Sequence, residues 1–237
     1  MRNVLRILTI GSTTLVATAV SAQIITPPVA NAPPVFDVSQ LPAFKGTVQQ
    51  FTMTPRGDID GLMFSDGTEV KLPPHLTADI VAAIKIGDAV TVHGLKAATL
   101  PLIAASAVTN VRSGATVVDN GPQGKKGHGS GGSTDSPRTV VLQSDLLGRV
   151  KVTLHGRKGE VNGALLDDGT VLRLPPPEAA RYSAMLTPGQ ALAARGTLIS
   201  SPYGKVLDVR GIGPTLDKLS EVQGPPPGKK GPKGPKG

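Results

Sequence analysis

Apolar and polar residues alternate along several short stretches of this chain, and the same stretches come round twice. From Val150 to Leu154 every second residue is apolar, the period of a strand with one buried face. Its counterpart, Lys45 to Met53, is longer, and its alternation breaks at Gln49-Gln50, which predicts a bulge or bend. Ile59 to Phe64 and Thr68 to Leu72 are two short runs joined at Asp66-Gly67, a hairpin signature that Asp168-Gly169 repeats. Pro73-Pro74 and Pro175-Pro176 end the third strand, because proline has no N–H to give to a ladder. The period then changes. Ile80, Val81 and Ile84 have helical spacing behind Thr77, which is placed to cap, and Glu178 to Leu186 takes this position in the second copy. Gly87 and Gly189 stop the helix. Asp88 to Leu95 alternates again, with Val90 and Val92 on one face and Leu192 and Ala194 at the matching places. Leu102 to Val111 and Lys205 to Gly211 are the last strands.

Residues 46–94 and 148–196 align without a gap at a constant offset of 102. Gly46 falls on Gly148, Gly57 on Gly159, Gly61 on Gly163, Gly87 on Gly189 and Gly94 on Gly196. Asp66-Gly67-Thr68 falls on Asp168-Gly169-Thr170, and Leu72-Pro73-Pro74 on Leu174-Pro175-Pro176. Shared glycines and prolines fix backbone geometry, so what was duplicated is a fold and not a set of reactive side chains. The element order is β-β-β-α-β-β, twice. That order belongs to the OB-fold, a five-stranded Greek-key barrel with a helix between its third and fourth strands. The fold expected is therefore mainly β: two tandem five-stranded OB-fold-like barrels, each with one short helix.

The chain resembles the small periplasmic bacterial OB-fold proteins. The resemblance rests on an opening Gly-x-Val (Gly46-Thr47-Val48 and Gly148-Arg149-Val150), on the central Asp-Gly-Thr hairpin, and on Gly87-Asp88-Ala89-Val90-Thr91-Val92-His93-Gly94. The second copy degrades this last segment to Gly189-Gln190-Ala191-Leu192-Ala193-Ala194-Arg195-Gly196. These motifs are structural. They imply an exported accessory module and carry over no catalytic residue.

The ends agree with export. Arg2 and Arg6 precede a short, mainly apolar run from Ile7 to Val20, and Val20-Ser21-Ala22 offers small residues before a cut after Ala22. The run is shorter than the ~20 apolar residues a membrane span needs, so no transmembrane segment is expected once residues 1–22 are removed. Residues 23–43 read as a Pro-rich tether, 44–113 as the first repeat, 114–138 as a Gly/Ser-rich linker and 139–223 as the second repeat. Residues 224–237 form a basic Gly/Pro/Lys tail. The chain has no cysteine. That excludes disulfides, thiol catalysis and cysteine-ligated metal, and suits a periplasmic location.

The net charge of +8 changes meaning once it is located. Bases and acids balance in the first repeat, and the second carries a small basic excess. The uncompensated charge sits in the tail, at Lys229, Lys230, Lys233 and Lys236. Such a polycation associates with anionic envelope surfaces. Nucleic-acid binding in an OB groove needs aromatic stacking platforms and a basic channel, yet the chain has no Trp and two Tyr.

Asp58, Asp60 and Asp66 fail the alternation of a calcium loop, since Leu62 stands at its third ligand position. His75, His93, His128 and His155 lack the spacing of a metal site, and no catalytic constellation recurs in both copies. No cofactor and no metal is expected, and the chain is read as no enzyme. By analogy with OB ligand surfaces, the candidate contact residues are Arg56, Arg157 and Lys158 in the loop between the first two strands, and Lys71 and Arg173, which match across the copies on the third strand. The expectation is an envelope scaffolding or binding module whose partner is an envelope protein or an anionic envelope component. The alternatives are a single-stranded nucleic-acid or polyanion binder and a small-ligand or cation carrier.

Overall fold

The computed structural model describes residues 37–121 and 139–224. The expected leader, most of the tether, most of the linker and the tail beyond Gly224 lie outside the described residues. The first repeat comprises β1 (Ala43–Met53), β2 (Ile59–Phe64), β3 (Glu69–Lys71), α1 (Thr77–Ala83), β4 (Ala89–Lys96) and β5 (Leu102–Asn110). β1 pairs antiparallel with β2 and β4, β2 with β3, and β4 with β5. A parallel pairing of β3 with β5 closes the ring. β6 (Thr116–Val118) adds to β5 outside it, so the segment read as linker begins as strand.

The second repeat comprises β7 (Val140–His155), β8 (Val161–Leu166), β9 (Thr170–Arg173), α2 (Pro176–Arg181), β10 (Ala191–Ser201) and β11 (Gly204–Gly213). Its ring has the same connectivity, closed by the parallel pairing of β9 with β11. β12 (Ser220–Glu221) lies on β11 as β6 lies on β5. Both repeats are thus five-stranded barrels of OB connectivity with one short helix each. Among the described residues no helix is long and apolar enough to cross a membrane.

One strand can serve two neighbours only if it bends. β1 gives residues 43–47 to β4 and residues 48–53 to β2, and the register slips between Val48 and Gln50, at the glutamine pair. The second copy slips at the same place, between Val150 and Val152, although its clean alternation predicts an unbroken strand. Val150 faces the second barrel's own core, whereas Val152 and Leu154 pack against the first barrel's cluster, so the faces switch at the slip; both faces are apolar, and the pattern hides it. Gly94 and Gly196 mark a second matching irregularity, in the pairings of β4 with β5 and β10 with β11. A Cβ at either would collide with a carbonyl of the neighbouring strand, Ala104 or Asp208.

Thr77 does not cap α1. It is the first helical residue, and its hydroxyl donates to the Pro74 carbonyl (2.7 Å) and accepts from Ile59 N–H (3.0 Å), tying the helix to β2. α2 is shorter than its pattern predicts; Ser183–Leu186 continues as a 3-10 turn.

β7 differs most from expectation. It starts at Val140, and its first half pairs with a long β10–β11 hairpin that the first repeat lacks.

The cores follow from period two. In β8, Ala164 and Leu166 point into the second barrel with Leu172 of β9 and Leu207 of β11. The residues between them, Leu165, Val171 and Val206, point the other way and join the cluster that fills the first barrel. Leu154 and Ile199 join it as well. The second barrel therefore buries one outer face against the first, and its strands are covered on both sides.

Leu165, fully buried in this shared cluster, tests that continuity. Leu165→Ala should cost about 2–5 kcal/mol in denaturant titration. It should shift one cooperative transition and leave no second barrel melting at its original midpoint. Two separated transitions would contradict a shared core.

Candidate functional site

In an OB-fold the ligand surface is the face of strands two and three, flanked by the loops between strands one and two and strands four and five. In this chain each of those parts meets the other barrel. Phe51, near the end of β1, stacks edge-on with Tyr203 at the turn of the β10–β11 hairpin (centroids 6.5 Å apart, planes at 88°). Gly57, in the first β1–β2 loop, faces Ile199 of β10. Gly159, its counterpart, faces Leu100 in the loop before β5. Gln50 Nε2 donates to the carbonyl of Gly169 in the β8–β9 turn (3.0 Å).

A cluster of charges lies at the centre of this contact. The Arg173 guanidinium leaves β9 and crosses to the first barrel. Its Nη2 donates to both Asp60 carboxylate oxygens (2.8 and 2.7 Å), and its Nε donates to the Met53 carbonyl (2.8 Å). Nη1 turns back to Asn162 Oδ1 on its own barrel (2.7 Å). Thr52 Oγ1 completes the shell of Asp60 (2.8 Å). Lys71, the counterpart of Arg173, stays within the first barrel. Its Nζ lies 2.7 Å from Glu69 Oε1 and 3.8 Å from Asp60 Oδ2. The first of these contacts pairs the charges without the alignment of a hydrogen bond. Glu69 reaches across in turn, accepting from the His155 backbone N–H (3.2 and 3.0 Å), with its Oε2 3.3 Å from His155 Nδ1. The crossings are reciprocal: β3 and β9 each reach the last residue of the other barrel's first strand, and Met53 and His155 are themselves a matched pair.

Burial and charge oppose one another here. Burial pushes the Asp60 carboxyl up, but Arg173, Lys71 and the Thr52 hydroxyl together hold it below the ordinary 3.8 of an aspartate. Glu69 is likewise raised by burial and lowered further by its His155 and Lys71 partners, to below the ordinary 4.5. Burial lowers Lys71, the neighbouring Arg173 charge lowers it again, and Asp60 and Glu69 do not fully compensate.

Of the residues expected to meet a ligand, Lys71 and Arg173 do not face solvent: they are 2% and 3% exposed, held in the contact between the barrels. The matched pair on strand three faces away from its own barrel as expected, and the other barrel covers that face. Arg56 and Lys158 are exposed at their loop tips. Arg157 is half-exposed, and its Nη2 lies 4.0 Å from Asp119 Oδ2 just after β6, beside His75 Nε2 (3.5 Å). Lys229, Lys230, Lys233 and Lys236 lie outside the described residues. Sequence reasoning passed over Asp60, Glu69, Asn162 and His155 as turn, strand or scattered residues. The available signal was the unbroken apolar run Leu62-Met63-Phe64 with its match Ala164-Leu165-Leu166, which marks strands covered on both faces. No family model matches the chain, and no curated protein does.

Two outcomes follow for the cluster. Asp60→Asn strips Arg173 of its only bidentate carboxylate and should cost about 3–5 kcal/mol, because a buried guanidinium is left without a counter-charge. Asp60→Leu combined with Arg173→Met should cost clearly less than Asp60→Asn alone; equal losses would contradict the pairing. The depressed carboxyls bind fewer protons folded than unfolded. Their stabilisation is therefore present above 4.5 and 3.8 and is lost as pH falls through those values and below. A melting-temperature series from neutral to strongly acid pH should show that fall, and Glu69→Gln should flatten it.

Proposed function

We propose that this chain is an exported, non-catalytic scaffolding module of the bacterial envelope, built from two OB-like barrels and attached to anionic surfaces by its basic tail. The observation that carries this reading is the mutual burial of the two ligand faces. A groove that would admit a base or a sugar in a free OB barrel is covered by the other barrel, which buries Lys71 and Arg173 and sets Phe51 against Tyr203. What remains for contact is the outside of a fused body.

Export is supported by the leader-like segment 1–22. Attachment is supported by the placement of charge, which is near balance in the repeats and concentrated after Gly224. The exposed rim residues Arg56, Arg157 and Lys158 supply a secondary basic contribution.

The test is sedimentation with vesicles containing an anionic phospholipid, using the chain from Gln23 with and without residues 224–237, at low and high salt. At ~1 kcal/mol per basic residue near the surface, loss of four lysines should weaken binding on the order of a hundredfold or more at low salt. High salt should remove the difference. Binding that persists without the tail and ignores salt would overturn the attachment role.

A further inference from the structure

The first half of β7 is an open edge. Residues 140–148 pair with β10 along one side only; on the other side the Arg149 carbonyl accepts from Asp167 N–H and β8 pairs from Val150 onward. Among the described residues no strand pairs with the other edge of Val140–Leu147. The stretch is also apolar and exposed on both side-chain faces: Val140 is 49%, Val141 58%, Leu142 57% and Leu147 70% exposed. Natural edge strands carry lysine, proline or a bulge that blocks further pairing. Val140-Val141-Leu142-Gln143-Ser144-Asp145-Leu146-Leu147 has neither lysine nor proline, and its register with β10 runs without a slip.

We propose that this edge is a homodimerisation site, at which β7 of one molecule pairs antiparallel with β7 of a second copy. The segment is complementary to itself. In an antiparallel pair, the residues that point their backbone groups outward share one parity, so a two-fold axis must pass through a residue and not between two. An axis through Ser144 sets Val141 against Leu147, Leu142 against Leu146, and Gln143 against Asp145. Every large apolar residue of the stretch from Val141 to Leu147 then meets another. Moving the axis to Gln143 sets Val141 against Asp145 and loses that match.

The one charge in the stretch does not oppose the pairing. Asp145 is already held by Arg195, which donates from Nε (2.6 Å) and Nη2 (2.8 Å). Two copies therefore do not bring bare carboxylates together. A two-fold contact also closes both open edges at once, which a foreign strand would do for only one molecule. The result is a continuous sheet running from β11 and β10 through both β7 strands to the second copy's β10 and β11.

A cysteine-free chain allows a direct test. Directly opposed residues in an antiparallel pair have Cα atoms about 4.5–5.5 Å apart, within the range a disulfide spans. Ser144→Cys in the chain from Gln23 should oxidise to a covalent dimer, and Val140→Cys, off the axis, should not. Sedimentation equilibrium of the unmodified chain should give a dimer at high micromolar concentration. Leu147→Lys, at an exposed site, should keep the melting temperature and raise the dimer dissociation constant about tenfold or more. A chain that sediments as a monomer at all concentrations overturns the proposal. So does a dimer that Leu147→Lys leaves intact and Ser144→Cys does not cross-link.

Discussion

The arrangement of this protein depends on one interaction, the bidentate pairing of Arg173 with Asp60 inside the contact between the barrels. Removing a guanidinium and a carboxylate from water costs several kcal/mol for each ion, and only close, well-aligned partners offset that. The fold supplies them: Arg173 finds Asp60, Asn162 and the Met53 carbonyl within hydrogen-bonding range, and Asp60 finds Thr52 besides. Because two of those partners belong to the opposite barrel, the guanidinium is satisfied only when the barrels are docked. Hydrophobic burial by Leu165, Val171 and Val206 supplies attraction, but it is tolerant of sliding. The directed bonds of Arg173 fix the register.

That docking decides what the barrels can do. An OB barrel ordinarily keeps the face of strands two and three open, and here that face has become interior. The consequence reaches outward to the long β10–β11 hairpin. The hairpin lays Ile199 and Val206 on the first barrel, Tyr203 against Phe51 and the Ser201 hydroxyl toward Met53 Sδ. To be that long it needs a strand beside it, and β7 extends to provide one. The exposed β7 edge is thus a by-product of how the second barrel holds the first.

Much of the architecture was legible in the residues. The gapless duplication, the Asp-Gly hairpins, the proline stops and the glutamine pair at the β1 bulge all correspond to observed features. The β7 extension was not legible, because Val140 to Leu147 breaks alternation and has no counterpart of equal length before Gly46. The site was half legible. Matching Lys71 with Arg173 picked out two residues that the structure uses, and chain order placed them on the right strand and face. Their environment was hidden, since a charged residue alternating with apolar ones reads as solvent-facing, and only a partner more than a hundred residues away reverses that. The carboxylate that answers Arg173 was obscured because its counterpart is Asn162, so it did not recur.

The lack of recurrence has its own meaning. A chain holding two copies of one fold must keep the strand-two and strand-three face of each copy from docking on its own kind in another molecule. Asp60 and Glu69 have neutral counterparts, Asn162 and Val171, whereas Lys71 and Arg173 are both cations. First barrel on second buries two negative and two positive groups. First on first would enclose four carboxylates with two ammonium groups, and second on second would enclose two guanidinium groups with no carboxylate. Only the mixed pairing is electrically balanced. Divergence after duplication has therefore written partner choice into the interface, so that a first barrel docks on a second barrel and not on another of its own kind.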